Sequence, residues 1–239
     1  MVLKRGDFAG VKRVGFDLDN TLYPVTDAMQ GRIRQGIYQL AAQRLGRSVD
    51  EVRIEFEREY PKTGSGSRTL RGMGIELLES KALVQRAIET ADIEGFIERD
   101  PILVQWLNKL SDAELGVDLI TGTSQKLAEG KLRAIGIALD RFEVQLYSGD
   151  HAHAKSDGES FHTWMEQASK RKGLKIPPEQ FVYIGDNERT DFEVPIGLGL
   201  RAVLIKPGQE EQARGDNYIV PNVYRACEIV LGGKLHETA

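Results

Sequence analysis

Two carboxylates stand two residues apart in Gly15-Phe16-Asp17-Leu18-Asp19-Asn20-Thr21-Leu22, where an apolar run gives way to polar residues. In an extended segment residues two apart point the same way, so Asp17 and Asp19 share one face. Adjacent carboxylates repel unless a cation lies between them or one of them holds a proton. Magnesium suits the first arrangement, being a hard cation that takes one or two protein carboxylates together with water and phosphate oxygens. The second suits a general acid that later acts as a base toward water. Taken alone, an Asp-x-Asp pair serves equally well as the cap of a turn.

Three later segments bear on that choice. The apolar run Val117-Asp118-Leu119-Ile120 ends in Thr121-Gly122-Thr123-Ser124, which offers a hydroxyl and backbone amides at the start of a helix, where an anion is favoured. A third run at 144–147 leads through Ser148-Gly149-Asp150 to Lys155 in Lys155-Ser156-Asp157-Gly158. A fourth, at 181–184, ends in Gly185-Asp186-Asn187-Glu188-Arg189-Thr190-Asp191. Singly, each has an ordinary explanation as a helix cap or a solvated surface charge. What those explanations do not account for is the order: Asp-x-Asp, Thr, Lys, then Gly-Asp-x-x-x-x-Asp, each after a successive apolar strand.

In that order the sequence resembles the haloacid dehalogenase-like hydrolase superfamily over essentially the whole chain. The resemblance implies a Rossmann-like parallel sheet with an inserted all-helical cap, an α/β fold. It further implies that Asp17 is a nucleophile that becomes a transient aspartyl-phosphate and that Asp19 is the general acid/base. Thr121, Gly122 and Lys155 would hold the transferring phosphoryl group. Asp17, the Asp19 main-chain carbonyl and Asp186 would bind Mg2+, supported by Asp191. Two neighbours depart from the usual family pattern, Gly122 where Asn is common and Ser156 where Pro is common; neither removes a catalytic group. Asp19 speaks against the dehalogenases, and Thr21 resembles the phosphatases rather than the phosphomutases. Asp19-Asn20-Thr21-Leu22-Tyr23-Pro24 looks most like pyrimidine 5′-nucleotidase-type members, which makes nucleoside 5′-monophosphates the first expected substrates, ahead of sugar phosphates. A non-catalytic scaffold is the reading furthest from these residues.

The elements that must position these groups follow from periodicity. Strands are expected at 11–18, 117–121, 144–147, 181–184, 201–205 and 218–220, alternating with helices, the rhythm of parallel strands joined by right-handed crossovers. Between about 25 and 99 the pattern is helical throughout. Met29, Ile33, Ile37, Leu40, Ala41 and Leu45 mark one helix face, and Ser48-Val49-Asp50-Glu51 has the form of a capping box for a second helix that ends before Pro61. The stretch 62–69 reads as a loop, and Gly64-Ser65-Gly66-Ser67 lacks the Lys-Ser/Thr ending of a phosphate-binding P-loop. Helical pattern resumes around 70–78 and 82–88. Asp100-Pro101 is a cap and first-turn pair that opens a helix back into the main domain. The expected division is therefore a catalytic core at 1–24 and 100–239 with a cap at 25–99.

Of the 239 residues 41% are hydrophobic, and the formal net charge is -4, which argues against a nucleic acid polymer as partner. No apolar run approaches the length that crosses a bilayer, and the N-terminus lacks the form of a signal peptide, so no membrane partner is expected. The single cysteine, Cys227, can form no intrachain disulfide, which fits a cytoplasmic setting. The expected partner is a small phosphorylated metabolite, and the oligomeric state is open. His151 and His153 read as loop residues rather than metal ligands. Lys170-Arg171-Lys172 reads as the basic end of a helix.

Overall fold

The run before Asp17 makes a short central strand because its residues can be buried on both faces, as parallel sheets require. In the computed structural model, which describes residues 8–147 and 155–232, this strand is β1 (Arg13–Phe16), buried throughout. The others are β2 (Gly116–Thr121), β3 (Gln145–Tyr147), β4 (Phe181–Gly185), β5 (Arg201–Ile205), β6 (Gln212–Arg214) and β7 (Asn217–Val220). They form one sheet in the order β3-β2-β1-β4-β5-β7-β6, parallel except for β6. The chain winds outward from β1 through β2 to β3, then returns to the other side of β1 with β4. The winding therefore reverses at β1 and β4, and open α/β sheets bind ligands beyond the strand ends at such a point. Phe16 is level with both Leu119 and Ile184, so the residues after β1, β2 and β4 emerge side by side.

Both faces of the sheet are covered. Ile120, Phe181 and Tyr183 pack with Phe161, Trp164 and Ala168 of α7 (Glu159–Lys172) in one apolar cluster. Helix α5 (Pro101–Asp112) packs on β2 and on α9 (Val223–Val230). Its N-cap is Asp100, which accepts from the Leu103 amide at 2.8 Å. Helices α6 (Gln125–Ile135) and the short α8 (Val194–Gly197) complete this part. Lys170, Arg171 and Lys172 do fall in the last turn of α7. Cys227 is buried in α9, and burial pushes its thiol up to about 12, so it stays a neutral apolar filler.

Two polar groups lie where an apolar strand was expected. Arg13 and Asp118 are fully buried and paired, with Arg13 Nε donating to Asp118 at 2.9 Å and Trp164 Nε1 at 2.7 Å. Gly116 makes room for the guanidinium: a Cβ there would lie 2.0 Å from Arg13 Nη1. Burial by itself would lower the Arg13 pKa, but Asp118 and Glu143 outweigh it and the net shift is upward.

Residues 25–97 form a second compact unit. It contains α1 (Asp27–Leu45), α2 (Val49–Thr63), α3 (Gly66–Gly72) and α4 (Leu77–Thr90). Ile37, Ala41, Val52, Phe56, Leu70, Ile75 and Ala87 make its core. The Ser48 capping box is present, with Ser48 Oγ accepting from Glu51 N at 3.3 Å and Glu51 Oε2 accepting from Ser48 N at 2.9 Å. The helix does not end before Pro61. In the last turn proline removes just one main-chain bond, and Gly64, left-handed at φ 60, closes the helix by donating to Tyr60 at 2.8 Å. The expected loop at 62–69 is accordingly a two-residue break at Gly64 and Ser65. Gly66 opens α3 at a close approach, where a Cβ would come within 3.3 Å of Val84. The expected helix at 70–78 is interrupted at 73–76, where Gly74 takes a left-handed φ of 98.

The strand β6 was not expected. It is an exposed, polar edge strand, turned onto β7 by Gly215 at φ 65, and carries no apolar signal. Ser148, Gly149, Asp150, His151 and His153 lie outside the described residues. Among the described residues no helix is long and apolar enough to cross a membrane.

Candidate active site

The site is built where β1, β2 and β4 end. Asp17 follows β1 directly, its amide held by the Ile184 carbonyl at 2.9 Å. The chain then turns tightly: Leu22 N donates to Leu18 O at 2.9 Å, and Asn20 takes the left-handed φ of 57 that asparagine tolerates. This turn brings Tyr23 back beside Asp19, where the two form an isolated bridge.

Lys155 converges on the same point from the segment before α7. Its Nζ donates to Asp17 Oδ1 and to Asp191 Oδ1, each at 2.8 Å, and to the Tyr183 hydroxyl at 3.3 Å. Tyr183 in turn donates to the Ile120 carbonyl at 2.6 Å, tying the ammonium to the end of β2. Burial pushes the Tyr183 hydroxyl far up, so it stays a neutral donor.

Asp186 and Asp191 come from the end of β4 and the turn that follows. Residues Glu188–Glu193 form one π-helical turn, capped by Asn187, whose side chain accepts from Arg189 N and Thr190 N at 3.1 Å each. The wide turn brings Asp191 back over Gly185 so that its Oδ2 accepts from Asn187 N at 3.1 Å. Only glycine fits there: a Cβ on Gly185 would lie 2.5 Å from Asp191 Cβ. Gly185→Ala is therefore expected to displace Asp191 and destabilise the fold by about 1–3 kcal/mol, read as a lowered unfolding midpoint together with a loss of turnover. An unchanged midpoint would contradict the close packing of this turn.

Asp17, Asp186 and Asp191 each offer a carboxylate oxygen within 4.8 Å of the others. Burial pushes Asp17 up to about 7, against the pull of Lys155, and Asp191 adds to the rise. Asp186 is raised as well, by burial and by Asp191. An all-oxygen set with more negative charge than one ammonium offsets suits a hard divalent cation, so the residues fit magnesium. Lys206 holds the Asp186 main-chain carbonyl at 3.0 Å.

The Asp19 carboxylate turns elsewhere. Lys131 Nζ donates to its Oδ1 at 2.6 Å, Tyr23 donates to the same oxygen, and the Thr123 hydroxyl donates to Oδ2 at 2.7 Å. Burial alone would raise the Asp19 pKa, but Lys131, Tyr23 and Thr123 outweigh it and hold the carboxyl below its ordinary value. Thr121 is buried at the end of β2, where its Oγ1 accepts from Thr123 N at 3.2 Å, and Gly122 is exposed beside it.

Three residues of this arrangement went unread in the sequence: Tyr183, Thr123 as a partner of Asp19, and Lys131. Tyr183 sits inside an apolar strand and looks like core. Lys131 had a signal, since it falls with Ala128, Leu132 and Ile135 on the buried stripe of α6, where a lysine is out of place.

The profile described as haloacid dehalogenase-like hydrolase matches residues 11–196. A glyceraldehyde 3-phosphate phosphatase from Methanopyrus kandleri is 24% identical over 219 residues, which is 87% of this chain and 90% of that protein. Among solved structures, a HAD phosphatase from Thermococcus onnurineus is similar with a TM-score of 0.66 and 20% identity, covering 94% of this chain and 100% of that one. CbbY from Rhodobacter sphaeroides, solved in complex with phosphate, is similar with a TM-score of 0.61 and 18% identity, covering 93% and 97%. At these identities the structural likeness speaks for the fold.

Proposed function

Because the chain belongs to the haloacid dehalogenase-like hydrolases, we propose that it is a magnesium-dependent phosphomonoester hydrolase working through an aspartyl-phosphate on Asp17. The observation that carries this reading is the part-buried Lys155, hydrogen-bonded to Asp17 and Asp191 at 2.8 Å each beside the third carboxylate, Asp186. A carboxylate held against an ammonium at a sheet switch point is placed to meet a phosphoryl group, and a carboxylate nucleophile splits hydrolysis into two easier displacements.

In the first, an Asp17 oxygen bonds to phosphorus as the ester P–O bond breaks, and Asp19, an anion in the free site that takes up a proton when the anionic ester binds, gives that proton to the leaving oxygen. In the second, Asp19 takes a proton from water, the water oxygen bonds to phosphorus, and inorganic phosphate leaves with Asp17 restored. Lys155, Thr121 and the Gly122 amide orient the phosphoryl oxygens. Magnesium would be held by Asp17, the Asp19 main-chain carbonyl and Asp186, with Asp191 in support, and supplies charge neutralisation of the phosphoryl group when bound. The helical unit 25–97 serves as the cap that selects the leaving group, and the setting is cytoplasmic.

Nucleoside 5′-monophosphates are the first substrate class, from the run Asp19–Tyr23 and Pro24. Three-carbon sugar phosphates are the second, favoured by the 24% identity to a glyceraldehyde 3-phosphate phosphatase. A panel of both classes and hexose phosphates, run with magnesium and with chelator, tests the proposal. Hydrolysis with magnesium is expected, falling about a hundredfold or more in chelator. No turnover of any ester under either condition would overturn the reading. A clear preference for three-carbon sugar phosphates would decide for the second class.

A further inference from the structure

The contacts of Asp19 divide its two oxygens. Oδ1 accepts from the Lys131 ammonium at 2.6 Å and from the Tyr23 hydroxyl, whereas Oδ2 accepts from the Thr123 hydroxyl at 2.7 Å. An ammonium has donors only, while a hydroxyl turns between donating and accepting. The side chain of Lys131 is 4% exposed and that of Asp19 34%, so the pair runs from inside the fold toward solvent. A buried ion pair is a weak source of stability compared with an apolar filler, and the remainder of this stripe of α6 is Ala128, Leu132 and Ile135.

The geometry points to Lys131 as a positioning residue for the acid/base step: it anchors Asp19 by Oδ1 and leaves Oδ2 as the oxygen that meets the ester oxygen. The inference rests on the reading of Asp19 as the acid. Lys131 touches neither Asp17 nor Asp191 through any hydrogen bond found among the described residues, in contrast to Lys155. Its hydrogen bond goes to Asp19, and its ammonium also lies 5.9 Å from the centre of the ring of Tyr23, the other donor to the same oxygen.

Such a role has a signature that loss of fold or of phosphate binding lacks. An acid matters when the leaving oxygen is basic and hardly at all when it departs readily as an anion. In Lys131→Met, kcat/KM for the best alkyl phosphate of the panel should fall about tenfold or more beyond any fall for dinitrophenyl phosphate. Asp19→Asn should show the same split, larger. Lys131→Gln, which keeps a donor but drops the charge, gives a smaller split and serves if the methionine variant does not fold. Equal losses on both esters in a folded Lys131 variant, or no loss on either, overturn the positioning role while leaving Asp19 as the acid. Absence of the split in Asp19→Asn is a separate failure, of the acid assignment itself.

Discussion

Asp17→Asn lowers kcat/KM by roughly four orders of magnitude while leaving the fold intact. The amide keeps the shape of the carboxylate that Lys155 holds at 2.8 Å, so packing is preserved, but it is a poor nucleophile toward phosphorus. The same substitution also changes the pH dependence of stability. Burial raises the Asp17 pKa from the ordinary 3.8 to about 7. A carboxyl raised on folding stabilises fully below its unfolded pKa and loses that contribution as pH rises through the folded value. In chelator, the wild-type protein should therefore lose stability between about pH 4 and 7 on account of this group. The asparagine variant does not titrate there, so it should melt above the wild type at pH 8 and at the same temperature near pH 4. Turnover at the wild-type level would end the covalent mechanism. A gap that widened toward acid would contradict the raised carboxyl.

Lys155→Met removes an ammonium bonded to both Asp17 and Asp191. Breaking a buried pair by deleting one partner costs about 3–5 kcal/mol, because the remaining charge is left unpaired. Here two carboxylates lose their partner at once, and the Tyr183 hydroxyl loses its donor at 3.3 Å. Turnover should fall about a hundredfold to a thousandfold, the range for deleting a group aimed at developing charge. Since a divalent cation offsets the same carboxylates, added magnesium should raise the melting temperature of this variant more than that of the wild type. A variant that melts and turns over like the wild type would remove Lys155 from the site.

Most of the site legible in sequence lies at strand ends, and Lys155, before α7, was legible from its place in the motif order. Asp17, Asp186 and Asp191 follow apolar runs whose burial on both faces makes them strands, and a polar residue after such a run has to emerge beyond the carboxyl end of the strand. The helical unit was legible for a similar reason: Ile37 and Ala41 repeat with the period of one helix face, and Ser48 with Glu51 satisfies amides locally. Pro61 misled because the rule against proline in helices is strong in the interior and weak in the last turn. The π-helical turn at Glu188–Glu193 had no local mark, since it is shaped by the fit of Asp191 over Gly185.

The sequence by itself determined which groups are available for chemistry and in what order they leave the strands, because strand burial and turn formation are decided within a few residues. Lys155 beside Asp17 was implied by the family resemblance, whereas only the tertiary structure decided how the charge of Asp19 is balanced. Lys131 reaches Asp19 across 112 positions and Lys155 reaches Asp17 across 138, distances over which no periodicity carries information. The sheet order closes those gaps by setting β4 and β2 on either side of β1. Asp17 is thereby joined to the lysine and the carboxylates around it, and Asp19 is turned toward a different lysine.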